Sequence, residues 1–218
     1  AVKSCIKQIK ENISLSSVCA IALSSQVGTY ITDKGEIIPW FSSAGQEELK
    51  EIKRLGKSLT LLYNANCYGE NATSIKLQNH IVKLTEFLKK ELDIDNITTT
   101  SPVIAQIVKK EFKSSIKVRA SVNMRVGSTF AMEYLAENFD GYYLQKEYNR
   151  DFKQIKTLLK WCKENGKTLH ILANSGCMHN CAFQTFHDNL IAHSVGQNSI
   201  DNVNTGFPAP CHQYLAGI

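Results

Sequence analysis

The chain has 218 residues, of which 43% are apolar and 21% charged, ordinary proportions for a globular protein with a full core. Its net charge of +5, from 25 basic and 20 acidic residues, lies mostly on expected helices (Lys89-Lys90, Lys109-Lys110, Lys113, Lys117). This reads as a solvated face, with an RNA contact as the alternative, although no aromatic interleaving or RNA motif accompanies it. The longest early apolar stretch, Val18 to Leu23, is too short to span a bilayer, and the seven cysteines lack the spacing of a secreted disulfide framework, so the expectation is a cytoplasmic protein without a membrane partner.

Strand-like and helix-like segments alternate along the chain. Val18 to Leu23 reads as a first strand, Gln46 to Lys57 as a helix and Leu59 to Asn64 as a second strand. A long amphipathic helix is expected from Ser74 to Leu92, with Ile75, Ile81, Leu84, Leu88 and Leu92 at helical spacing. Ile97 to Thr100 is a short strand, and Ser101-Pro102 caps a helix to Phe112. Val118 to Val122 is the fourth strand, followed by a helix over Ser128 to Glu137. Gly141 to Leu144 is the fifth strand, Asp151 caps a helix to Asn165, and Gly166 ends it. Lys167 to Asn174 is the sixth strand, and the polar stretch from Ser194 to Gly206 reads as a long loop.

Buried strands alternating with helices imply a parallel α/β sheet. Six βα units fit either an open sheet or an incomplete (β/α) barrel of the TIM type, in one domain covering residues 1–218. Sites in barrels of this kind lie at the carboxyl ends of the strands.

Chemistry concentrates after the sixth strand, in Ala173-Asn174-Ser175-Gly176-Cys177-Met178-His179-Asn180-Cys181. A turn of helix would bring Cys177 and Cys181 to one face. Cys67 follows the second strand on the same expected rim. With Cys211 the set amounts to four thiolates, which suits a 4Fe–4S cluster; zinc and no metal are the alternatives. A Cys2His2 zinc site with His187 and His193 fails on one unbroken helix, where each histidine lies about 120° from Cys181. Cys5 and Cys162 fall in expected helices and Cys19 in a strand, as filler. His187 and His193 lie among Phe183, Phe186, Leu190 and Ile191, where an imidazole is either packed structurally or placed for proton transfer and substrate contact. Asn174 and Asn189 read as loop and cap residues, although a strand-end asparagine can orient a substrate. Arg150, beside the capping Asp151, can hold a carboxylate. There is no GxGxxG, P-loop, HExxH, Gly-x-Ser-x-Gly or three-cysteine radical motif.

The segment Leu172 to Phe183, followed by His187-Asp188-Asn189-Leu190 and His193, resembles the collagenase-like peptidase family U32, in a branch with an Asn-x-x-Cys-x3-Cys signature. Asn64-Ala65-Asn66-Cys67-Tyr68-Gly69, Ser121-Val122 and Asn149-Arg150-Asp151-Phe152 resemble further strand-end segments of that branch, in order from about Val18 to Cys211. The resemblance implies a TIM barrel and, as in several relatives, a 4Fe–4S cluster on cysteines. It also implies oxygen-independent hydroxylation of RNA or of a small aromatic or organic-acid substrate. Proteolysis, the family label, has no recognisable nucleophile or zinc-protease motif here.

The leading expectation is therefore an iron–sulfur modifying enzyme. Cys67, Cys177, Cys181 and Cys211 hold the cluster, while His187, Asn174 and Arg150 line the rim. The competing expectation is a scaffold or accessory subunit with structural zinc or no metal. Six units leave sheet edges exposed, so a homo-oligomer or a partner subunit completing the barrel is expected in either case.

Overall fold

The structure is a computed structural model that describes residues 20–24, 30–31, 37–38, 43–172, 177–194, 211, 214 and 217. Six parallel strands form one sheet in strict chain order: β1 (Ala20–Ser24), β4 (Ser58–Tyr63), β5 (Asn96–Thr99), β6 (Lys117–Ala120), β7 (Gly141–Tyr143) and β8 (Thr168–His170). Two short strands unforeseen in the sequence, β2 (Tyr30–Ile31) and β3 (Ile37–Ile38), pair antiparallel between β1 and the first helix. Sequential parallel order with helical crossovers is the pattern of a (β/α) barrel. Among the described residues β1 and β8 remain the two edges, so the sheet is not closed.

Helices α1 (Ser43–Arg54), α2 (Ile75–Leu92), α3 (Pro102–Phe112), α4 (Thr129–Tyr134) and α5 (Phe152–Glu164) follow the strands, and α6 (Gln184–Ser194) comes after β8. Their starts follow from local chemistry. The hydroxyls of Ser74, Ser101 and Ser128 accept from the amides of Leu77, Ile104 and Ala131, and the carboxylate of Asp151 accepts from the amide of Gln154. Each satisfies an N–H that the first turn leaves without a partner. Gly166 stands just beyond α5 at φ +63°, a conformation that costs a residue with a side chain far more than glycine.

One face of the sheet carries the helices. Leu59, Leu61, Ile97, Val118, Ala120 and Tyr142 are buried there with Ile81, Leu84, Leu88, Ile104, Val108, Met132 and Leu158. Burying each large aliphatic side chain contributes roughly 1.5–3 kcal/mol. Two phenols fix the strands to their helices. The Tyr63 hydroxyl bonds the Thr85 hydroxyl at 3.0 Å, and Tyr142 donates to the Met132 carbonyl at 2.9 Å. At the amino ends of the strands, Lys109 grips both oxygens of Asp140 at 2.6 Å, and Asp140 also accepts from the Val118 amide at 2.8 Å. Lys167 donates to the carbonyls of Ala136 and Phe139.

The expected elements are present with shifted ends. The fourth strand stops at Ala120 instead of Val122, because the Ser121 hydroxyl accepts from the Asn123 amide and caps a 3-10 turn over Val122–Met124. The helix expected to Glu137 ends at Tyr134 and continues as tight turns whose carbonyls serve Lys167. Among the described residues the sixth strand is Thr168–His170, paired with β7, and the expected strand positions 173 and 174 lie outside them. The expected helical turn from Cys177 to Cys181 is instead a run of bends and turns with Asn180 at φ +52°, and α6 begins only at Gln184. The geometric objection to zinc requires one unbroken helix from Cys181, so it does not apply. Most of the long loop expected over Ser194 to Gly206, with Cys5 and Cys19, lies outside the described residues.

Candidate functional site

The strand exits place a band of polar residues at the carboxyl rim. After β4 come Asn64, Asn66, Cys67 and Tyr68; after β5, Thr100; after β7, Lys146, Asn149 and Arg150; beyond β8, Cys177. The band is cross-linked by hydrogen bonds between neighbouring exits. Thr100 donates its hydroxyl proton to the Ala65 carbonyl, joining the β4 and β5 exits. Asn149 donates its side-chain N–H to the Leu172 carbonyl at 2.7 Å, and the Lys146 ammonium donates to the Cys177 sulfur at 3.0 Å. These two bonds tie the segment after β8 to the β7 exit.

Several buried oxygens at this rim are left over. Among the described residues, Asn64 Oδ1, Asn66 Oδ1, Tyr68 Oη and Asn149 Oδ1 are buried without a hydrogen-bond partner. The Tyr68 hydroxyl lies beside Ala65, Thr99 and Thr100 yet makes a well-formed bond with none of them, and burial raises its phenol above the usual range. An unpartnered buried polar group costs about 1–3 kcal/mol, and native structures keep few of them. All four lie at the carboxyl end of the one sheet.

The inner face of the sheet, opposite the helices, continues this polarity below the rim. Alternation along a strand sends Leu59, Leu61 and Tyr63 to the helices and Thr60 to the other face. The same alternation sets Thr98 beside Arg119, Arg119 beside Gly141 and Gly141 beside Thr168 across four strands. Tyr143 and His170 form the next pair up, with ring centroids 5.1 Å apart. Thr168 Oγ1 and His170 Nε2 are 3.0 Å apart. Burial, with the Arg119 charge adding to it, pushes the His170 imidazole down to about 4, so the ring is neutral at pH 7. Thr60 Oγ1 and Thr98 Oγ1 are again buried and unpartnered.

Cys67 is half-buried at the β4 exit, where its sulfur accepts from the Gly69 amide at 3.4 Å. Cys177 is exposed beyond β8, Cys181 is half-buried in the turn before α6, and Cys211 is half-buried. Among the described residues no three cysteine, histidine or acidic side chains gather closely enough to hold a metal. Cys162 is buried on α5, as expected of core filler. The His187 ring, on α6, stacks on Phe183 just before that helix, with centroids 6.4 Å apart. Arg150 is exposed, whereas its neighbour Asp151 is the N-cap of α5. Asn174 lies outside the described residues.

Sequence reasoning gave no role to Lys146, Asn149, Arg119, Tyr143, Thr168 or His170. The signal for the inner-face group was nevertheless there. Lys117-Val118-Arg119-Ala120-Ser121 and Thr168-Leu169-His170 alternate polar and apolar residues, as strands do when one face meets helices and the other lines a polar interior.

Comparison with solved structures agrees with this architecture. The chain matches the U32 peptidase Mk0906 with a TM-score of 0.66, at 13% identity, over 94% of this chain and 80% of that one. The fold is U32-like. A chitinase, RmChi1 from Rhizomucor miehei, matches with a TM-score of 0.45 at 13% identity, over 68% of this chain and 60% of that one. No family model and no curated protein matches the sequence. Among the described residues no helix is long and apolar enough to cross a membrane.

Proposed function

We propose that the protein is an enzyme of the U32 type that takes a small organic acid at the carboxyl rim and inner face of its sheet. The observation that carries this reading is the set of buried, unpartnered oxygens at the exits of β4 and β7 among the described residues. An acid whose carboxylate accepts from the Tyr68 hydroxyl and whose own hydroxyl donates to an asparagine oxygen offsets their desolvation, which a scaffold has no means to do.

RNA is the weaker substrate class. Of the lysines that suggested a basic face, Lys109 is held by Asp140 and Lys89 donates to the Ser115 carbonyl. Both act away from the carboxyl rim as links within the fold. Saturation-transfer NMR with benzoate, succinate and malate, run beside an RNA gel-shift titration over salt, tests the assignment. Saturation of an acid with no salt-dependent RNA retention is the expected outcome, and the reverse would overturn it.

The cysteines call for a separate test. Iron, sulfide and zinc determined per chain after anaerobic purification give the answer. About four irons and four sulfides would mean that Cys67, Cys177, Cys181 and Cys211 are drawn together on loading. Absence of metal would leave the rim as an acid site, with Cys177 held beside Lys146.

A further inference from the structure

We propose that Arg119, with Thr98, Thr168 and His170 around it, is a carboxylate-binding site on the inner face of the sheet. This deepens the organic-acid reading and rests on it. The first support is charge. Arg119 sits half-buried in mid-sheet, and among the described residues no acidic side chain pairs with it. A guanidinium withdrawn from water without a counterion is costly, and its fork of donors matches a planar carboxylate.

Space is the second support. Gly141 lies between Arg119 and Thr168 in the register. A β-carbon there would collide with the Thr168 hydroxyl and stand 3.4 Å from His170 Nε2, so these two side chains reach over the glycine that separates them from Arg119 in the register. Any larger residue would displace them.

The third support is an unpartnered donor. Thr98 is 3% exposed, lies directly beside Arg119 in the register and keeps an unpartnered hydroxyl. One carboxylate oxygen can take the Thr98 proton while the guanidinium holds both oxygens. His170 is neutral at pH 7 and can donate one ring N–H without adding a second positive charge. Tyr143 covers its ring. The groups facing His170 are thus Arg119 from β6, Tyr143 from β7 and Thr168 from its own strand.

The test follows His170 by NMR of labelled imidazole, with succinate, benzoate and inorganic phosphate as probes. In the wild type, a bound carboxylate offsets the Arg119 charge, and the His170 titration moves up from about 4. Arg119→Gln raises the ligand-free titration and weakens acid binding about ten- to a hundredfold, as loss of charge-assisted hydrogen bonds does. Arg119→Lys keeps the charge without the fork and falls between them; it also serves if the glutamine variant misfolds. Acid binding unchanged in both variants overturns the Arg119 site while leaving the organic-acid reading intact. No acid binding to the wild type overturns both. A response to phosphate alone overturns the carboxylate assignment.

Discussion

Replacing Asp140 by asparagine tests how the amino ends of β6 and β7 are held. The carboxylate lies 2.6 Å from the Lys109 ammonium through both oxygens and accepts from the Val118 amide at 2.8 Å, with the two side chains 23% and 25% exposed. Burial works against its charge, but Lys109 and the Val118 N–H outweigh it and hold the carboxyl below its usual range. Asparagine keeps an acceptor for Val118 and loses the ion pair. The pair is neither a surface bridge, worth at most about 1 kcal/mol, nor a fully buried one, whose breaking costs about 3–5 kcal/mol. A loss of about 1.5–3 kcal/mol is expected at pH 7, or roughly 3–12 °C in melting temperature for a chain of this length.

The pH dependence is the sharper part of that prediction. A depressed native pKa stabilises the fold above the unfolded value, near 3.9, and this contribution disappears as pH falls through the native value. The gap between wild type and Asp140→Asn, measured by urea denaturation, should be constant from pH 7 to about 5 and narrow below that. A gap that is absent at neutral pH, or unchanged down to pH 3.5, would refute the reasoning.

Two further outcomes follow from single contacts. Tyr63→Phe removes the partner of the buried Thr85 hydroxyl and should cost about 1–2 kcal/mol in chemical denaturation, with Tyr63→Phe/Thr85→Val recovering part of the loss. Lys146→Met removes the ammonium 3.0 Å from the Cys177 sulfur, which stabilises negative charge developing on it. Alkylation of Cys177 by iodoacetamide, followed by mass spectrometry, should slow several-fold in the variant and not at Cys181.

The helices were the most legible part of the sequence. Ser74, Ser101, Ser128 and Asp151 were each expected at a helix start and stand there as N-caps, because capping is decided within four residues of chain. The strand order could also be anticipated, since alternating short buried strands and helices pack sequentially in parallel. Ends were harder to place. Whether Val122 continues a strand or enters a 3-10 turn depends on one serine hydroxyl finding the Asn123 amide.

The cysteines have the most specific spacing in the chain. Spacing, however, reports distance along the chain and not across the sheet. Cys67 and Cys177 leave strands that are not neighbours, with β5, β6 and β7 lying between β4 and β8. Only the tertiary structure decides which exits face one another, and it sets Lys146 against Cys177 and Asn149 against Leu172.

The sequence by itself determined the alternation of elements, the helix caps and the apolar face of each strand, all of which arise from contacts close in the chain or from a two- or 3.6-residue period. The inner-face group was decided by register. Arg119, Gly141 and Thr168 are 22 and 27 residues apart, and they share a row because parallel pairing aligns Arg119 with Gly141 and Gly141 with Thr168. A one-residue slip of any of these strands would turn its side chains to the opposite face, so the site exists only at the register that the whole folded sheet imposes.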